Sequence, residues 1–434
     1  MSSRLIYNIR QLVNTRTQSH LLRGTELAQL PCIDDAWLLI EDSEIAAYGP
    51  MSEMPANLAA QVPRASSLSA SHPGSSAIDA TGRFILPAWC DSHTHLVFAG
   101  SRETEFVDKI KGLSYAGINA RGGGILHSAR RLAETSEDQL FNDAWIRLQE
   151  LARLGTGAIE IKSGYGLTVE GELKMLRVIK KLKQRSSLSI KATFLGAHTY
   201  PLEYKEDHTG YIDLIINKML PVIAREQLAD YIDTFCEQGF FSPEETETIC
   251  RAGIQHGLRP KIHANQLHLS GGVQVGVRVG ALSVDHLETM DADAIGVLAA
   301  SDTIGTLLPT AAFFLRMPFQ PARMLVDAGC ALALASDFNP GSSPSGNMNL
   351  VVAMSCIGMR LLPEEAINAA TLNGAYAMSL GDRLGSITPG KRANLIFTQP
   401  IPSLAYLPYA FGSNRIDQVM IGGEFIGDQT LTHV

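Results

Sequence analysis

The sequence predicts an α/β protein: a distorted (β/α)8 (TIM) barrel with a small β-sandwich domain built from both chain termini. Three observations lead there. The middle of the chain alternates short apolar runs with helical periodicity, which implies parallel strands joined by helical crossovers. The two ends lack that alternation and read as β throughout. Polar residues of chemical interest gather at the C-terminal ends of many different central strands. Barrel active sites lie there, so a barrel is preferred over a doubly wound open sheet.

At the N-terminal end, Trp37–Gly49 reads as two short strands around a polar turn. Residues Ala65 to Ala77 are rich in Ser, Gly and Pro and read as an exposed loop. Ile78–Gly82 then leads into the first central strand. The eight barrel candidates are Phe84–Asp91, Gly157–Lys162, Leu188–Gly196, Tyr231–Cys236, Arg259–His263, Leu282–Asp285, Thr303–Leu308 and Ala331–Ser336. Helices are expected between them, among them Val169–Gln184, Pro243–His256 and Asp291–Ala300. After about Gly385 the pattern returns to β. Ile387–Lys391 reads as a turn, Asn394–Thr398 and Gln418–Ile421 as strands, and Gly422-Gly423 as the link to Glu424–Ile426. Neither end has enough apolar residues for a core of its own. Residues 1–82 and 385–434 are therefore expected to form one composite β domain, and residues 83–384 the barrel. There is no internal repeat.

Composition narrows the function classes. Of 434 residues, 45% are hydrophobic and 18% charged, the balance of a soluble globular protein. The net charge is -8 and no long basic block occurs, which argues against a nucleic-acid partner. No apolar run is long enough to span a membrane, and the first residues lack a signal-peptide core. Six Cys with no C-x-x-C suit reduced thiols in a cytoplasm.

The first strand ends in Asp91-Ser92-His93-Thr94-His95. Alternation points His93 and His95 to the same side, a ready pair of metal ligands. His198 follows the third strand, His263 closes the fifth, His286 follows the sixth, and Asp337 follows the eighth. Five of the chain's 12 His thus fall at such ends, more than a random scatter would put there. His93, His95, His263 and Asp337, with a water, would satisfy one divalent ion. Imidazoles with one carboxylate suit zinc or iron alike. Such an ion lowers the pKa of its water, Asp337 can accept that water's proton, and His286 is free to act as general acid/base. Singly, each residue has a plainer explanation: His286 as a core histidine, Asp337 as a helix cap, Asn339–Pro344 as a turn. Their joint placement favours the metal site.

Longer segments carry a resemblance: Asp91–Glu103, Arg121–Ile125, Glu160–Leu167, Phe194–His198, Asp285–Glu288 and Asp337–Pro344. With them the chain resembles the amidohydrolase superfamily, along nearly its whole length. Within it the chain is similar to the branch that hydrolyses 4-imidazolone-5-propanoate to N-formimidoyl-L-glutamate in histidine degradation. The resemblance implies one zinc or iron ion per chain, held by His93, His95, His263 and Asp337. It also implies substrate or product contacts from Arg102, Tyr115, Tyr165, His198, Gln266, Asn339, Gly341 and Ser342, with His286 and Asp337 catalytic. A homodimer working on a small molecule in the cytoplasm is also expected. The chemistry agrees, because an Arg can take a propanoate through two parallel hydrogen bonds and a tyrosine hydroxyl can add another. Gln266 stands where many deaminases of the superfamily have a proton-shuttling Glu. An amide cannot shuttle a proton but can both donate to and accept from an imidazolone ring. That argues against the rival reading, an aminohydrolase of a ring amine. The complete ligand set argues against a second rival, an inactive binding protein. Lys162, on the second strand, is not expected to bridge two ions.

Overall fold

The computed structural model describes residues 3–62, 76–113 and 123–427. Tyr115 and most of the Ser/Gly/Pro-rich stretch lie outside them. The N-terminal end supplies strands β1 (Ser3–Val13), β2 (Cys32–Glu41), β3 (Glu44–Pro50), β4 (Ala77–Asp79) and β5 (Phe84–Pro87). The long strand β1 has no counterpart among the elements expected from the sequence. β2 and β3 are the expected hairpin, turned through Asp42 at φ 54, a left-handed position that Asp tolerates.

The barrel follows as β6 (Trp89–Asp91), β7 (Thr156–Lys162), β8 (Ser189–Ala197), β9 (Tyr231–Cys236), β10 (Arg259–Ala264), β11 (Ser283–His286), β12 (Ile304–Leu307) and β13 (Leu332–Leu334). They pair in chain order, all parallel. Crossover helices start where side chains cap them: Thr168 before Val169–Arg185, Ser242 before Pro243–Gln255 and Asp291 before Ala292–Ala299. The expected run Phe84–Asp91 is split. Phe84–Pro87 pairs with strands of the terminal sheet, and only Trp89–Asp91 enters the barrel. The switch is at Ala88, whose N–H donates to Asn394 O (2.9 Å) while the N–H of Trp89 donates to Gly155 O (2.9 Å). Both sheets bury this run on both faces, so apolarity alone carries no sign of the change.

β6 and β13 share no ladder. The ring is joined just beyond them by a parallel bridge between Thr94 and Phe338. Asp337 N donates to His93 O (3.0 Å) and His95 N to Phe338 O (2.9 Å). Behind this seam, Ser336 Oγ donates to Asp91 at 2.6 Å. The seam that closes the barrel thus sets His93 and His95 against Asp337.

The C-terminal end returns as β14 (Leu395–Thr398), β15 (Ile416–Ile421) and β16 (Glu424–Phe425). They extend the terminal sheet in the order β16-β15-β14-β5-β1-β2-β3, with β4 beside β1. Ile6, Leu38 and Ile40 from one end of that path and Leu395, Phe397 and Met420 from the other share one buried core. The two chain ends thus share one apolar core along a single hydrogen-bonded sheet. Burying that core supplies about 25 cal/mol for each Å² of apolar surface removed from water, which neither chain end gathers alone. Among the described residues, no helix is long and apolar enough to cross a membrane.

Candidate functional site

His93, His95, His263 and Asp337 meet at the C-terminal end of the barrel, all buried. Asp337 Oδ1 lies 3.5 Å from His93 Nε2 and 3.6 Å from His95 Nε2, and His95 Nε2 lies 3.4 Å from His263 Nε2. A ring nitrogen of His286 comes within 4.8 Å of those of His93 and His263. Asp337 (φ 54) and His286 (φ 86) both hold left-handed backbone, a strain that ordinary strand ends avoid.

Carboxylates behind the histidines decide which nitrogens face inward. Asp285 Oδ2 sits 2.6 Å from His93 Nδ1, and Asp233 Oδ2 3.0 Å from His263 Nδ1. Each carboxylate favours a proton on Nδ1, which leaves Nε2 as a bare lone pair. His93 Nε2 has no hydrogen-bond partner among the described residues. Burial, reinforced by Lys162 and neighbouring imidazoles, holds the His93 imidazolium well below its ordinary pKa. Burial and His198 do the same to His95. Converging lone pairs beside a carboxylate repel one another until a cation sits among them. The donor set therefore fits a metal ion that takes nitrogen and oxygen ligands.

The two carboxylates belong to a buried charge cluster inside the barrel. Lys162 Nζ contacts Glu160 (2.6 Å), Asp233 (2.8 Å) and Asp285 (3.6 Å), and Lys261 Nζ pairs with Glu160. Burial opposes the charge on Lys162, but its three carboxylates outweigh it and raise the pKa. Lys162 is thus held in ion pairs beneath the site. Asp233, Asp285, Glu160 and Lys261 were not singled out as site residues from sequence. Their signal was available: a charge in the middle of an apolar strand, as in Tyr231-Ile232-Asp233-Thr234-Phe235.

A cavity of about 290 Å³ opens above the cluster. Its wall includes His95, His263, His286 and Asp337, and also Arg102, Tyr165, His198, Gln266, Asn339, Gly341 and Ser342. Every site residue expected from sequence and lying within the described residues is thus at this cavity, except His93, which is sealed beneath it. Tyr115 lies outside the described residues. His198 Nδ1 donates to Gly164 O (2.9 Å), so Nε2 is the acceptor. Burial, then His263, push His198 down to about 3, a neutral ring. For His286, burial lowers the pKa, but Glu288 (3.4 Å from Nδ1), Asp337 and Asp285 together raise it above the ordinary value. Burial raises Asp337 against the pull of His286 and His263.

Two residues do more locally than their expected roles imply. The Asn339 amide is fully engaged within its own loop. It donates to Asp337 O (2.6 Å) and Ser342 Oγ (2.7 Å) and accepts from Gly341 N and Ser342 N (2.8 Å each). All four of its hydrogen bonds are made, so it frames the loop, and the loop's own atoms face the cavity. Arg102 Nε and Nη2 donate to the buried Glu105 Oε2 at 2.9 and 2.6 Å. Its Nη1 passes so close to Gly341 that a Cβ there would lie 2.2 Å away, so any larger residue would have to displace the guanidinium.

The amidohydrolase family matches residues 241–426. An imidazolonepropionase of Flavobacterium johnsoniae is 57% identical over 423 residues, covering 97% of this chain and 99% of that protein. One from Christiangramia forsetii is 54% identical with the same coverage. Among solved structures, E. coli guanine deaminase superposes with a TM-score of 0.72 over 98% of this chain and 99% of its own. At 15% identity that likeness concerns the fold alone. The chain belongs to the imidazolonepropionase family of the amidohydrolase superfamily, hydrolases that open a cyclic amide at a carbon–nitrogen bond.

Proposed function

We propose that the chain hydrolyses 4-imidazolone-5-propanoate to N-formimidoyl-L-glutamate, with one zinc or iron ion held by His93, His95, His263 and Asp337. The observation that carries this reading is the convergence of bare Nε2 atoms on Asp337 at the floor of a cavity with Arg102 in its wall. When bound, the ion supplies Lewis acidity, which makes water nucleophilic at neutral pH.

The reaction adds a hydroxyl to the ring carbonyl carbon and a hydrogen to the ring nitrogen as the bond between them breaks. Asp337 receives the proton that water loses; Ser342 Oγ holds its Oδ2 at 3.1 Å while Oδ1 faces the histidines. His286, held through Nδ1 by Glu288, stabilises the developing oxyanion or returns a proton to the leaving nitrogen, which departs poorly without one. Arg102, Tyr165 and Tyr115 receive the propanoate. His198 Nε2 and the Gln266 amide orient the ring. Gly341 and Ser342 close over it on the loop framed by Asn339. The chain works as a homodimer in the cytoplasm, where its free thiols Cys32, Cys90, Cys236, Cys250, Cys330 and Cys356 stay reduced. Incubation with freshly made 4-imidazolone-5-propanoate tests the reading: its ultraviolet absorbance should fall at a rate proportional to enzyme. An unchanged absorbance with metal-loaded protein would contradict it.

A further inference from the structure

The helix Glu103–Ile110 brings a second cation to the cavity. Arg102 precedes the helix and Lys109 lies in its last turn, and both line the wall. Arg102 is bonded to Glu105, which is itself buried and also accepts from Gly124 N (3.0 Å). That carboxylate cancels the guanidinium charge. Lys109 has no carboxylate within ion-pair distance among the described residues, and the segment 114–122 contains no Asp or Glu. Lys109 Nζ donates to Gly341 O (3.0 Å), which leaves two ammonium hydrogens without a hydrogen-bond acceptor among the described residues. Burial, then the charge of Arg102, push Lys109 below its ordinary pKa, and the more distant Glu105 opposes them only in part. Among the described residues, the cavity wall therefore carries one net positive charge on this side, and it belongs to Lys109.

We propose that Lys109 is a specificity-determining residue: it supplies the unneutralised charge that selects a ring bearing a carboxylate side chain, while the Arg102–Glu105 pair fixes how that carboxylate lies. Gly341 joins the two, since one cation passes over its Cα and the other bonds its carbonyl. The proposal rests on the ring-opening reading only for the identity of the ring.

Calorimetry of imidazole-4-propanoate and its uncharged propanamide, binding to metal-loaded wild type, Lys109→Met and Lys109→Arg, tests it without turnover. Turnover of 4-imidazolone-5-propanoate by wild type tests the ring-opening reading separately. Wild type should prefer the propanoate. Lys109→Met should weaken the propanoate about ten-fold, the value for a charge-assisted bond discounted for partial exposure. It should leave the propanamide unchanged, and Lys109→Arg should restore most of the loss. Equal weakening of both compounds, no weakening of either, or no preference in wild type would overturn the proposal.

Discussion

His286 is the residue whose role is most exposed to test. It stands beside the ligand set, backed by Glu288, on left-handed backbone that an ordinary core histidine would not need. General acid/base help is worth about 100- to 10,000-fold, so His286→Asn should lower kcat by that order while ion content and circular dichroism stay as in wild type. Near-normal turnover in the variant would pass the proton to Asp337 or solvent. At the other end of the barrel, Lys391 donates to Gly381 O (2.5 Å) and Leu384 O (2.9 Å), and burial lowers it from 10.5 to about 8. Between those two values the unfolded chain binds the extra proton, so stability contributed by this group rises with pH across the window. Wild type should gain about 1–3 kcal/mol relative to Lys391→Met from pH 8 to pH 10.5, read from denaturant unfolding. Parallel curves would show that Lys391 is not depressed. The candidate ligands were legible because imidazoles at strand ends form a pattern across the chain, whereas Arg102, Tyr165, Gln266 and the Asn339–Ser342 loop came from the family resemblance. Glu105 and Lys109 were not, since a charge on a helix reads as solvated until the fold turns it toward a cavity.

At the scale of elements, β9 and β11 each carry a carboxylate that holds a histidine of the next layer, Asp233 behind His263 and Asp285 behind His93. Such partners fix ring orientation and basicity, and their loss typically costs about 10- to 100-fold in metal affinity. Asp285→Asn should weaken the ion by that order in competition with a chelator. Unchanged affinity would reduce Asp285 to a partner of the buried lysines. The eight-strand alternation was legible element by element because helical and strand periods differ. The division of Phe84–Asp91 was not, because the run is apolar on both sides of Ala88 and serves two sheets in turn. β1 was missed for a related reason. A bulge between Ile6 and Ile9, with Asn8 at φ 55, breaks the strict alternation that marks a strand.

At the scale of the molecule, the barrel brings residues as far apart as His93 and Asp337 together at its closing seam, above the buried charge cluster. Metal analysis of purified protein should return one equivalent per chain, lost in His263→Ala; two tightly held equivalents would refute a mononuclear site. The composite terminal sheet was legible from the two β-like ends, though its pairing order depends on β5 and β14 meeting, which no local pattern encodes. The reaction itself is best tested by mass spectrometry of the product formed in 18O-labelled water. We expect one 18O in the newly formed carboxylate of N-formimidoyl-L-glutamate and no free ammonia. Label in a formyl group of an isomeric N-formyl carboxamide, with no labelled carboxylate, would mean that water attacks the amidine carbon and that ring opening at the amide is wrong.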